Sequence, residues 1–89
     1  MLTLDSEKYT AKYRGKSVLF SPMEFDILKV LLNTDNDTVS RQKLVSKIWG
    51  KHIRGMDYRI IDKHISRIRR KTCRDVILTV PGSGYRYNR

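Results

Sequence analysis

The chain has 89 residues, with 19 lysines and arginines against 9 aspartates and glutamates, for a formal net charge of +10. That length holds one domain with one small core and excludes a second. A surplus of this sign attracts polyanions, nucleic acid first and an anionic membrane surface as the rival. The sequence holds no apolar run of about 18 residues that could span a bilayer. Its first residues lack the basic and apolar regions of a secretory signal. Cys73 is the only cysteine and so has no internal disulfide partner, which suits a reducing cytosol and a cytoplasmic protein. It reads as a small residue late in a helix.

The first 20 residues read as a small antiparallel sheet. Leu2-Thr3-Leu4, residues 9–13 and residues 17–20 are rich in β-branched and aromatic types, with turns at Asp5-Ser6 and Arg14-Gly15-Lys16. Ser21-Pro22-Met23-Glu24 starts a helix: Ser21 caps it, Pro22 sits where a missing N–H costs nothing, and Glu24 completes a capping box. The helix runs to about Asn33 and buries Phe25, Leu28, Leu31 and Leu32. Residues 34–38 are turn material, and their two aspartates read as solvated rather than catalytic. Ser40 caps a second helix with the apolar stripe Leu44, Val45, Ile48 and Trp49, and Gly50 stops it. Residues 51–56 form a basic loop, and Asp57 caps a third helix predicted over 57–71. Residues 76–80 then read as a strand, 81–84 as a turn and 85–87 as a return strand. The expected fold class is α+β, a winged helix-turn-helix in one domain over 1–89. It has an N-terminal sheet over 1–20, a three-helix core over 21–72 and a wing hairpin over 76–88.

The third helix carries the functional signal. Ile61, Ile65 and Ile68 fall at i, i+4 and i+7 and line one side. At about 100° per residue, Arg59, Lys63, Ser66, Arg67 and Arg70 gather on the other. A helix held to a core by isoleucines and presenting arginines outward fits the major groove of B-DNA. From Arg59 to Arg74 the only acidic residue is Asp62, whereas a merely solvated helix mixes signs. Asp62 itself reads as a structural partner of a basic neighbour, because an acid facing phosphate is repelled.

These pieces also carry a family resemblance. They are Leu19-Phe20-Ser21-Pro22-Met23-Glu24-Phe25-Asp26-Ile27-Leu28, Val39-Ser40-Arg41-Gln42-Lys43-Leu44 and Ile48-Trp49-Gly50. Arg59-Ile60-Ile61-Asp62-Lys63-His64-Ile65-Ser66-Arg67-Ile68-Arg69 and Thr79-Val80-Pro81-Gly82-Ser83-Gly84-Tyr85-Arg86 follow in order. Together they resemble the winged-helix effector domain of the OmpR/PhoB family of bacterial two-component response regulators. The resemblance implies a four-stranded N-terminal sheet, which the strands read here match less closely. It implies that Lys63, Ser66, Arg67 and Arg70 face bases in the major groove. It implies phosphate contacts for Trp49, Arg59 and His64, donors all, with Arg41 a weaker candidate and Thr79 and Tyr85 on the wing. It further implies double-stranded DNA as partner, RNA polymerase as a partner through the 51–56 loop, and a tandem dimer on direct repeats. Pro81 departs from the family, whose wing often carries a basic or large residue there, so an arginine wedge into the minor groove is excluded at that position. Arg86, Arg89 and the wing backbone are the candidates to compensate, and weak minor-groove reading is the alternative. No part of the chain resembles the receiver domain that usually precedes this one. A stand-alone regulator and an excised domain both fit, and a start in mid-sheet favours the second.

The rival readings are weaker. A winged helix can serve as a protein–protein interaction module, but that use calls for exposed apolar anchors on the third helix. RNA binding lacks an aromatic stacking platform. His52, His64 and Cys73 match no metal spacing, so no metal and no cofactor are expected. The Gly82-Ser83-Gly84 run is a hairpin turn rather than a nucleophile elbow, and the chain does not read as an enzyme.

Overall fold

The computed structural model describes residues 2–34, 37–50 and 57–88. Three strands open the chain, β1 (Thr3–Asp5), β2 (Thr10–Tyr13) and β3 (Lys16–Leu19), paired antiparallel in that order. The sheet is three-stranded among the described residues, not four-stranded. Arg14 and Gly15 join β2 to β3 with φ of 50° and 79°. Two consecutive positive φ values make the tight hairpin turn whose twist matches its strands.

Helix α1 (Pro22–Leu32) begins as its sequence requires. The Ser21 hydroxyl accepts from Glu24 N–H at 3.2 Å, and the Glu24 carboxylate accepts from Ser21 N–H at 3.0 Å. The helix buries Phe25, Ile27, Leu28 and Leu31, whereas Leu32 is only half-buried. Helix α2 (Arg41–Trp49) is capped by Ser40, which accepts from Lys43 N–H at 3.0 Å, and ends at Gly50 with φ of 90°. Leu44 and Val45 are buried in it, with Ile48 and Trp49 packed at the edge of the core. Helix α3 (Arg59–Lys71) starts two residues later than the sequence suggests. Asp57 stands outside the helix and accepts from Arg59 N–H at 2.9 Å, so it still satisfies a free donor of the first turn. Ile61, Ile65 and Ile68 are fully buried.

A short 3-10 turn (Arg74–Val76) takes the first residue of the expected strand, so β4 is Ile77–Val80 and pairs with β5, Gly84–Tyr87. This hairpin is tied to the body at several points. Val39 and Tyr85 exchange both backbone hydrogen bonds, at 2.8 and 3.0 Å. The Tyr87 hydroxyl accepts from Leu2 N–H at 3.0 Å. The Arg69 guanidinium reaches the Ile77 carbonyl at 2.6 Å and the Thr79 hydroxyl at 2.9 Å.

Glu24 is a buried acid that the sequence does not announce. It is 2% exposed, and its Oε1 lies 2.6 Å from Lys71 Nζ at the far end of α3. Burial pushes its carboxyl upward, but the Lys71 ammonium and the Ser21 N–H outweigh that and hold it below the ordinary value of 4.5. A depressed carboxyl stabilises the fold above its unfolded-state value and stops doing so as pH falls through the folded one. Melting temperature is therefore expected to drop below about pH 4.5. The Glu24→Gln protein, less stable at neutral pH, should lose less over that window. Equal acid slopes for the two proteins would count against this role for Glu24.

Candidate nucleic-acid interface

The five residues that the helical period places together do share one surface. Arg59, Lys63, Ser66, Arg67 and Arg70 are all exposed along α3, opposite its buried isoleucines. Arg59 is pre-set by Asp57, whose carboxylate lies 2.6 Å from its Nη2. The hydrogen bonds from Arg59 hold the Asp57 carboxyl below its usual value. This pair is well exposed, so it orients the guanidinium without adding much stability.

Two other basic residues of α3 point elsewhere. Arg69 spends its donors on β4 and stacks 5.8 Å from the Tyr85 ring centre. Lys71 is committed to Glu24. Both lie off the polar stripe of the helical wheel, yet only the fold reveals their partners.

Two of the residues assigned to phosphate are placed differently from that expectation. His64 is 9% exposed and lies among the core-facing residues of α3. Burial, with Arg67 and Lys63 nearby, pushes its imidazole below the ordinary value and outweighs the pull of Glu24. The ring is therefore neutral near pH 7, and its Nδ1 has no hydrogen-bond partner among the described residues. Tyr85 is 8% exposed, and its hydroxyl donates to Asp62 Oδ1 at 2.5 Å. Burial first, and that bond second, push the phenol up to about 12. The Tyr85 hydroxyl is thus already engaged with Asp62, and the His64 imidazole is largely covered.

The remaining candidates are accessible. Arg41 stands at the start of α2, with Nη1 2.9 Å from Asp62 Oδ2. Trp49 is half-buried, packed against the core by one side. Thr79 is exposed on the wing, as are Pro81, Gly82 and Ser83 at its tip, while Arg86 is half-buried on β5. Asp62 thus has the basic partner expected of it, and a second in Tyr85 that the sequence did not suggest. An open cleft lies between the α2 start and the wing, lined by Ser40, Arg41, Tyr58, Asp62, Thr79 and Ser83. The loop 51–56 and Arg89 lie outside the described residues, as does part of the turn at 34–38. No group of three histidine, cysteine or acidic side chains suited to a metal occurs among the described residues, and no described helix is long and apolar enough to cross a membrane.

A three-stranded sheet, three helices with the third basic, and a C-terminal hairpin define a winged helix-turn-helix domain. Residues 15–87 match the family described as transcriptional regulatory protein, C terminal, and the chain belongs to that family. It is similar to a probable transcriptional regulator, ycf27, of Cyanidium caldarium, with 36% identity over 94% of this chain and 37% of that protein. It is 34% identical to the phosphate regulon transcriptional regulatory protein PhoB of Rhizobium meliloti, over 94% of this chain and 38% of that one. The chain thus spans well under half the length of these relatives. Among solved structures it resembles the DNA-binding domain of Klebsiella pneumoniae RstA, solved in complex with the RstA box. There the TM-score is 0.81 at 31% identity, covering 97% of this chain and 89% of the other.

Proposed function

We propose that this domain binds double-stranded DNA sequence-specifically in the service of transcription regulation, with α3 in the major groove and the wing on the flanking backbone. One observation carries the reading. Arg59, Lys63, Ser66, Arg67 and Arg70 form an exposed basic face on a helix that buried isoleucines lock to the core. Lys63, Ser66, Arg67 and Arg70 read base edges, where lysine and arginine suit guanine O6 and N7. Arg41, Arg59, Trp49 and Thr79 contact phosphates, while His64 and Tyr85 hold the frame from beneath. The exposed face of α3 is charged or polar and offers no apolar anchor for the protein–protein reading.

The test is a titration of preferred against scrambled duplex at several salt concentrations. Affinity is expected to fall steeply with salt as phosphate counterions are released. Arg67→Ala should relax base preference at one position by about 1–3 kcal/mol, whereas Arg59→Ala should weaken all duplexes alike and lower the salt slope by about one. Equal affinity for every sequence defeats the reading. Two variants that both lose affinity without changing preference defeat the division into readers and clamps.

Tandem dimers on direct repeats, contact with RNA polymerase through the 51–56 loop and a cytoplasmic location follow from the same reading. A regulator of this kind needs no catalytic residue, and none is proposed.

A further inference from the structure

We propose that Asp62 is a positioning residue that sets the wing at a fixed distance from α3, an inference that rests on the DNA-binding reading above. Asp62 is the only acid in α3. A carboxylate on the flank of a helix that meets a polyanion weakens binding by charge repulsion. Its contacts supply a compensating task.

The two carboxylate oxygens are divided between two elements. Oδ2 accepts from Arg41 Nη1 at the start of α2, at 2.9 Å, and Oδ1 accepts from the Tyr85 hydroxyl on β5, at 2.5 Å. One group on α3 therefore fixes α2 on one side and the wing on the other. Tyr85 is itself anchored by its backbone exchange with Val39, so the link through its ring is short and stiff. Thr79 lies directly opposite Tyr85 in the hairpin, and the wing tip follows two residues later. Asp62 lines the open cleft between the α2 start and the wing. The Asp62 and Arg41 side chains are 39% and 44% exposed, so their pair adds little to stability. What it supplies is geometry. Major-groove and wing contacts can form together only if the spacing between α3 and the hairpin is held before DNA arrives.

The experiment uses the whole 89-residue chain and a preferred duplex selected from a random pool. Base pairs on the wing side are removed in steps, and affinity is read by fluorescence anisotropy. Wild type is expected to lose affinity when the flank beneath the wing goes. Asp62→Ala removes both acceptor oxygens, whereas asparagine would keep one for the Tyr85 hydroxyl. Asp62→Ala should bind the shortest duplex within about twofold of wild type and forfeit the gain from the flank, about fivefold. Tyr85→Phe, which keeps the ring and hence the packing, should forfeit the same gain. The double variant should lose no more than either single one, because both break one link. A purely structural role would instead weaken short and long duplexes equally and lower the melting temperature in parallel. The proposal is overturned if the variants keep the wild-type flank gain, if they weaken all duplexes alike, or if their losses add. Failure of wild type to retain any duplex would overturn the DNA-binding reading too, and so differs from failure of this inference alone.

Discussion

Gly84→Ala is expected to cost about 3 kcal/mol or more of folding stability, from backbone strain of about 1–3 kcal/mol and two hydrogen bonds of about 1 kcal/mol each. Gly84 has φ of +137°, which side-chain-bearing residues rarely adopt. A Cβ there would overlap the Val39 carbonyl oxygen and come within 2.8 Å of Ser40 Cα. Those atoms are backbone and cannot swing aside. The Val39–Tyr85 exchange must open, and the wing must leave the body. Urea denaturation should show the loss, and hydrogen exchange should show the Val39 and Tyr85 amides unprotected. Stability within about 0.5 kcal/mol of wild type, as for an ordinary surface change, would mean that the bridge does not hold the wing.

Lys71→Ala is expected to cost about 3 kcal/mol, the low end for breaking a buried pair, because the lysine side chain is 37% exposed while that of Glu24 is only 3% exposed. The loss leaves the Glu24 carboxylate in the core with the Ser21 N–H as its remaining donor. It also removes an ammonium 5.5 Å from the Phe20 ring centre. Adding Glu24→Gln to Lys71→Ala should restore part of the loss. The neutral amide is cheaper to bury and can still accept from Ser21 N–H in the capping box. Chemical denaturation of the single and double variants decides the matter. If Lys71→Ala behaves like a change at a solvated lysine, and the second substitution makes matters worse, the account of a buried pair is wrong.

What could be read in the sequence was local or periodic. The Ser21–Glu24 box involves residues three apart, so its meaning survives without the fold. The isoleucines of α3 repeat at helical spacing, which fixed both the buried face and the basic one. Ser40, Gly50 and the hairpin turn are likewise short-range signals. What could not be read depends on long-range partners. The burial of Glu24 follows from Lys71, 47 positions away. The use of Arg69 follows from β4, and the second partner of Asp62 from β5. The helical period separates Arg69 from Arg70, which faces solvent, but it does not reveal that Arg69 braces the wing. His64 lay at the margin of the isoleucine stripe, and which side of that margin it occupies is decided by packing. The loss of Val76 from the strand is a matter of one residue, where the 3-10 turn claims it first.

The wing can be regarded as a lever with a clamped root. Its base is held by Leu2 through Tyr87 and by Arg69 through the Ile77 carbonyl, and Val39 holds it further out through Tyr85, while residues 81–83 at its end are exposed. Each arm has four residues. Beyond the Val39–Tyr85 bridge the hairpin projects only about 7 Å, so a tilt of about 5° there would carry the tip by about 0.6 Å. That displacement is enough to make or miss a hydrogen bond. Stiffness at the root is thus converted into accuracy at the tip, and a side chain there needs no reach of its own to be placed reliably.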